Sequence, residues 1–135
     1  IVADTLGTGE LRTDARHHML ISTAGQRSLG IQVGQVLALL ATLGKRGTVA
    51  HLHALGQVAQ IAALIAVALE PKSAASLTTQ TLMASRGHLI DWPLPYVNAP
   101  SLFAFGLLAE FDIPDLIALT APMPLLAPQR GPLRL

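Results

Sequence analysis

Leu29, Val33, Val36, Leu37, Leu40 and Leu43 recur at i, i+4, i+7, i+8, i+11 and i+14, one apolar stripe at the period of an α-helix. The stripe predicts a helix from Ser28, with Gln32 and Gln35 off it. Gly44 marks its end, where Lys45 and Arg46 meet the negative terminus. Residues 58–69 are apolar on nearly every face, which predicts a second helix buried on most sides. Glu70-Pro71 stops it, because proline restricts the residue before it. Short apolar runs at 48–54, 75–81 and 124–127 read as strands, and Ile1-Val2-Ala3-Asp4 as the end of another. Residues 5–9 supply a turn with two glycines. Residues 11–25 read as irregular and polar, 86–100 as a loop and 101–110 as a short helix. A further helix over 114–120 is entered through Asp112, a capping residue two positions ahead of Pro114.

Strands and helices alternating in this order predict an α/β fold: a parallel sheet of about four strands with crossover helices. The expected domain spans residues 1–127, followed by a flexible tail at 128–135. Four parallel strands leave two open edges, and open edges invite pairing. A homo-oligomer, or the missing remainder of a larger chain, is therefore the expected partner.

Composition sharpens this picture. The 135 residues are 51% hydrophobic and 13% charged, against roughly 25% charged in an average domain, so part of the surface is expected to be covered. A net charge of +1 and few aromatics give neither the field nor the stacking platforms that nucleic acid requires. The absence of cysteine excludes disulfides, thiolate metal sites and a cysteine nucleophile. The longest apolar run, residues 61–69, falls short of the ~20 residues of a membrane span, so no membrane partner is expected. No signal peptide is visible, and the compartment stays open.

Several side chains could carry chemistry. His51 and His53 are two apart and share one face of a strand, a spacing found in zinc sites. A third ligand would have to come from His88, Asp91 or Asp4 through the fold. The plainer reading is two hydrogen-bonded histidines and no metal. His17-His18 reads as a solvated loop pair, and His18 as a base would need a hydroxyl nearby. Ser28, in Gln26-Arg27-Ser28-Leu29-Gly30, keeps only the second glycine of a nucleophile elbow and reads as a helix N-cap. Asp112 and Asp115 suit a helix N-terminus better than acid–base work, and Trp92 reads as packing. Gly7-Thr8-Gly9 lacks the third glycine and the lysine of phosphate loops, so no cofactor is expected.

The ordered set ADTLGTGE, GQRSLGIQVGQVLALLATL, VAHLHALGQVAQIAALIAVALEP, IDWPLP and EFDIPDLIALTAPMPLL resembles the acetyl xylan esterase-like branch of the α/β-hydrolase superfamily, over roughly residues 2–126. The resemblance implies the central and C-terminal part of that fold. It also implies further strands before Ile1 in a complete member, and a later strand and helix carrying the catalytic histidine. Asp4-x-x-Gly7-x-Gly9 matches the superfamily's structural turn at the rim of the site.

The centre of Gly-x-Ser-x-Gly falls at Gly56, with Ala54 and Val58 in the flanking glycine positions. The acid position, near residues 127–130, holds no carboxylate. The resemblance thus implies a relative of acetyl and carboxylic ester hydrolases without a standard Ser-His-Asp triad. The implied substrate is a small acyl ester, with the Gln57 amide as an oxyanion donor. His53, acting on water, and Ser28 are the remaining catalytic candidates. The alternative is a non-catalytic binding or assembly module, either a pseudoenzyme or a fragment of a larger hydrolase.

Overall fold

The computed structural model describes residues 1–80, 82, 85, 87, 89, 95–104 and 106–126. His88, Asp91, Trp92 and the tail lie outside the described residues. The fold is mixed α/β. Among the described residues the α-helices with stated bounds are α1 (Ala15–Thr23), α2 (Ser28–Lys45), α3 (Gln57–Leu69), α4 (Leu107–Glu110) and α5 (Ile113–Leu119). Strands β1 (His51–Ala54), β2 (Ser76–Thr79) and β3 (Leu125–Leu126) form one sheet in the order β1-β2-β3. Both pairings are parallel, with Leu52 opposite Leu77 and Leu77 opposite Leu125.

Helix α3 organises the core. It packs against α2 and α5 and lies over β1 and β2. Ile61, Leu64 and Val67 are buried, and so are Ala62, Ala63 and Ala66, whose small side chains let neighbouring backbones approach. Leu29, Val33 and Leu40 of α2, Leu77 of β2, and Ile113 and Leu116 of α5 complete the cluster. Each fully buried leucine or isoleucine contributes about 1.5–3 kcal/mol relative to exposure. By length and composition, α2 is able to cross a membrane, with 18 residues and a mean hydropathy of 1.2. In this fold its apolar stripe faces α3 instead.

Burial alternates along the strands, as the two-residue period requires. Leu77, Thr79 and Ala54 are buried on the face toward the core. The other face carries His51 and His53, opposite Ser76 and Thr78. On that polar face both histidines are exposed.

The structure corrects four expectations. The sheet has three strands among the described residues rather than four, because residues 1–4 join no strand. Ile1 and Val2 are 95% and 97% exposed, and Asp4 instead accepts a hydrogen bond from the Glu10 amide at 2.9 Å. Residues 11–25 are not irregular throughout. Asp14 caps α1 by accepting from the His17 amide at 2.9 Å. His18 is the one buried residue of that helix, so it shows no apolar stripe. Helix α2 runs past Gly44 to Lys45, and its terminating glycine is Gly47. Gly47 takes a φ of 70°, and the amides of Gly47 and Thr48 return to the carbonyls of Gly44 and Leu43, the bonding of a Schellman cap. The short helix expected over 101–110 divides into a 3-10 turn, Pro100–Leu102, and α4.

Candidate functional site

A cleft of about 500 Å³ opens at the carboxyl end of β1. Its walls come from the turn at Gly7–Gly9, from Arg12, Thr13 and His18, from residues 55–59, and from residues 97–101. Gly56 is the N-cap of α3, with φ 80° and ψ 152°, and no side chain caps this helix. Gln60 is the first residue whose amide bonds back, to the Gly56 carbonyl at 3.0 Å. The amides of Gln57, Val58 and Ala59 thus have no acceptor within the helix, and all three residues line the cleft. The positive end of the helix dipole favours an oxygen ligand there. Among the described residues that line the cleft, Arg12 is the one charged side chain and none is a carboxylate.

The glycine turn is held in place from several sides. The Thr5 amide donates to Thr8 Oγ1 at 2.9 Å, and that hydroxyl donates to the Thr5 carbonyl at 2.7 Å. The two glutamines off the apolar stripe of α2 clamp the turn from below. Gln35 Oε1 accepts from the Leu6 amide at 2.9 Å, and Gln32 Nε2 donates to the Leu6 carbonyl at 2.5 Å. The same Gln32 nitrogen donates to the hydroxyl of Ser101, a residue of the opposite wall, at 3.1 Å. Gln32 is fully buried, so a polar residue inside the core ties two walls of the cleft together.

The structure also brings together two residues that sequence reasoning kept apart. His18 is buried, with Nδ1 2.7 Å from Ser28 Oγ and Nε2 2.9 Å from Thr13 Oγ1. Burial, followed by the neighbouring His17, holds its pKa below the usual histidine value, while Asp14 pulls it back up. The ring is therefore neutral at neutral pH, with one nitrogen donating and the other accepting. Gly7 packs on it so closely that a Cβ there would lie 3.0 Å from the imidazole. Thr13 is half-buried in the cleft wall. Sequence reasoning missed Thr13 because no motif surrounds it. Ser28 is not the N-cap of α2, which is Arg27. It is the first residue of the helix, and its hydroxyl turns to His18.

The other candidates lie elsewhere. His51 and His53 are exposed on the polar face of the sheet, and His51 Nδ1 is 2.8 Å from Ser76 Oγ. His53 is not among the residues lining the cleft. Among the described residues no three histidine or carboxylate side chains gather as metal ligands. Asp112 caps α5 through the Ile113 amide at 2.7 Å, and Asp115 accepts from the Asp112 amide at 2.9 Å. A larger hollow of about 690 Å³ lies at the opposite end of the sheet, between the end of α2 and the segments entering β1 and β2. Its described walls include Leu37, Leu40 and Ala74, and none of them is a histidine. The chain matches no family model, no curated protein and no solved structure.

Proposed function

We propose that this chain is an α/β-hydrolase-like protein related to carboxylic ester hydrolases, which takes a small acyl ester into the cleft at β1 without a standard Ser-His-Asp triad. One observation carries this reading. The uncapped first turn of α3 and the glycine turn meet in one cleft at the carboxyl end of a parallel strand, where open α/β sheets bind their ligands. Amides aimed into such a cleft suit a carbonyl oxygen, and suit still better the oxyanion or carboxylate that follows from it. Gly56 leaves the turn without a nucleophile and leaves room beside the helix mouth, since nothing lies within 4 Å of a Cβ built there.

The test has two arms: hydrolysis of a short-chain nitrophenyl ester, with a chelator control, and amide NMR during titration with acetate. Hydrolysis unaffected by chelator, together with shifts at Gly7–Gly9 and residues 57–59, is the expected result. A protein that neither hydrolyses the ester nor shows those shifts sinks the proposal.

The second reading, a non-catalytic assembly module, is favoured by a different observation. β1 is the edge of the sheet among the described residues, and Ile1, Val2 and Val49 are exposed.

A further inference from the structure

We propose that Thr13 is an acyl-accepting nucleophile, with His18 as its base and Ser28 as the residue that positions the base. The inference rests on the reading of the cleft as an acyl-ester site, but it names a catalytic residue that neither the elbow position nor any motif indicates. Its foundation is a hydroxyl–imidazole–hydroxyl chain with contacts of 2.9 and 2.7 Å. Such a chain has the logic of a nucleophile, a base and an orienting group.

The two hydroxyls are not equivalent. Thr13 and the His18 ring line the cleft, whereas Ser28 does not. Ser28 is 6% exposed and sits behind the imidazole on its Nδ1 side. A substrate in the cleft therefore meets Thr13. The ring has little freedom to move away, because Gly7 packs on its Nε2 edge and Ser28 holds its Nδ1. Arg12 and the free amides of α3 share the same cleft, so a developing negative charge has donors within the same walls.

The chemistry balances. Nδ1–H donates to Ser28 Oγ, which leaves the Nε2 lone pair facing Thr13. Thr13 Oγ1 attacks the ester carbonyl carbon as its proton passes to Nε2. The tetrahedral oxyanion collapses, the bond from carbon to the alcohol oxygen breaks, and Nε2–H protonates the leaving oxygen. The alcohol departs and an acyl ester remains on Thr13. Water then attacks that ester, giving its proton to Nε2. The proton returns to Thr13 Oγ1 as the carboxylic acid leaves. No metal, oxidant or further reactant enters the sequence.

The experiment treats the full chain with nitrophenyl acetate, quenches it, and measures intact mass and peptide maps alongside nitrophenol release. The expected product carries one acetyl group, on Thr13. Thr13→Val removes the modification and Thr13→Ser restores it. His18→Gln slows acylation by about 100-fold or more, the usual loss when a general base is removed. Ser28→Ala slows acylation at saturating ester without changing the half-saturating concentration. It also shifts the His18 ring nitrogens in NMR away from the Nδ1-protonated tautomer, a change that a purely structural serine would not produce. Circular dichroism of each variant separates lost chemistry from lost fold, and Thr13→Val is the least disruptive.

Hydrolysis that persists unchanged in Thr13→Val, or acetyl groups found only elsewhere, overturns the assignment while leaving the ester-site reading intact. Acetylation of Thr13 without turnover supports the nucleophile and counts against the hydrolase reading. No acetylation at Thr13 in the presence of acetate-induced shifts also overturns the nucleophile, and leaves the cleft as a binding site.

Discussion

The imidazole of His18 is buried with a hydroxyl at each nitrogen. Burial lowers its pKa in the folded chain below the ordinary value of 6.5. The unfolded chain therefore binds more protons just below pH 6.5, so stability must fall as pH drops. His18 contributes fully above pH 6.5; the loss grows below it and levels off beneath the folded pKa. Urea midpoints measured from neutral pH down to about pH 5 should fall more steeply for the wild type than for His18→Gln. Equal slopes would show that the ring does not carry this dependence.

Gly7 sits against the same ring at φ 77°, a conformation that costs other residues about 1–2 kcal/mol. Gly7→Ala should lower stability by at least that amount, because its Cβ would also press on the imidazole. Chemical denaturation checks the value. None of this is legible in the sequence. His17 and His18 are identical letters in a polar stretch, and only the fold turns one outward and buries the other beside Thr13 and Ser28, residues 5 and 10 positions away.

Among the elements, the helices were the easiest to read. The stripe of α2 and the all-round apolarity of α3 describe helices that pack on each other and on a sheet, and the structure contains that packing. The cap of α5 was equally legible. Asp112→Ala removes the side-chain bonds to the Ile113 and Asp115 amides while leaving the Asp115 carboxylate on the Asp112 amide, so a loss of about 1 kcal/mol is expected, with faster amide exchange at the start of α5.

The polar residues on α2 were less transparent. Periodicity placed Gln32 outside the apolar stripe, yet it is fully buried because Leu6 and Ser101 offer it partners from two other segments. Gln32→Leu should leave α2 helical and cost about 1–3 kcal/mol through the stranded Leu6 carbonyl. The amides of Gly7 and Thr8 should then exchange with solvent faster than in the wild type, whereas protection that is unchanged would show that the clamp is dispensable. Helix α1 escaped periodicity altogether. It stands on a cap and one buried histidine, and its Asp14 signal was visible only to a search for caps.

At the scale of the molecule, strand–helix alternation pointed to a parallel sheet, and the sheet is parallel. Its extent was overestimated because apolar letters at 1–4 say nothing about whether a neighbour exists to pair with them. The sheet's outer face is polar through His51, His53, Ser76 and Thr78, and β1 has no strand paired on its other side among the described residues. If that edge of β1 recruits a second copy, light scattering will show the average mass rising with concentration, and a proline placed at His53, whose amide faces away from β2, will reverse the rise by removing a donor amide. A constant monomer mass over the same range would end the assembly reading. Ligand chemistry and assembly are separable here, since the cleft lies at the carboxyl end of β1 and the edge runs along it.

The backbone at Gly56 has one further consequence. Its φ of 80° and ψ of 152° fall in a region that residues other than glycine occupy only at a cost of about 1–3 kcal/mol, although the space beside it is open. A serine appearing at position 56 by mutation would burden folding before it could be of any use, and selection would tend to discard it. The turn therefore holds position 56 to glycine through its backbone alone, with no neighbouring side chain in the way.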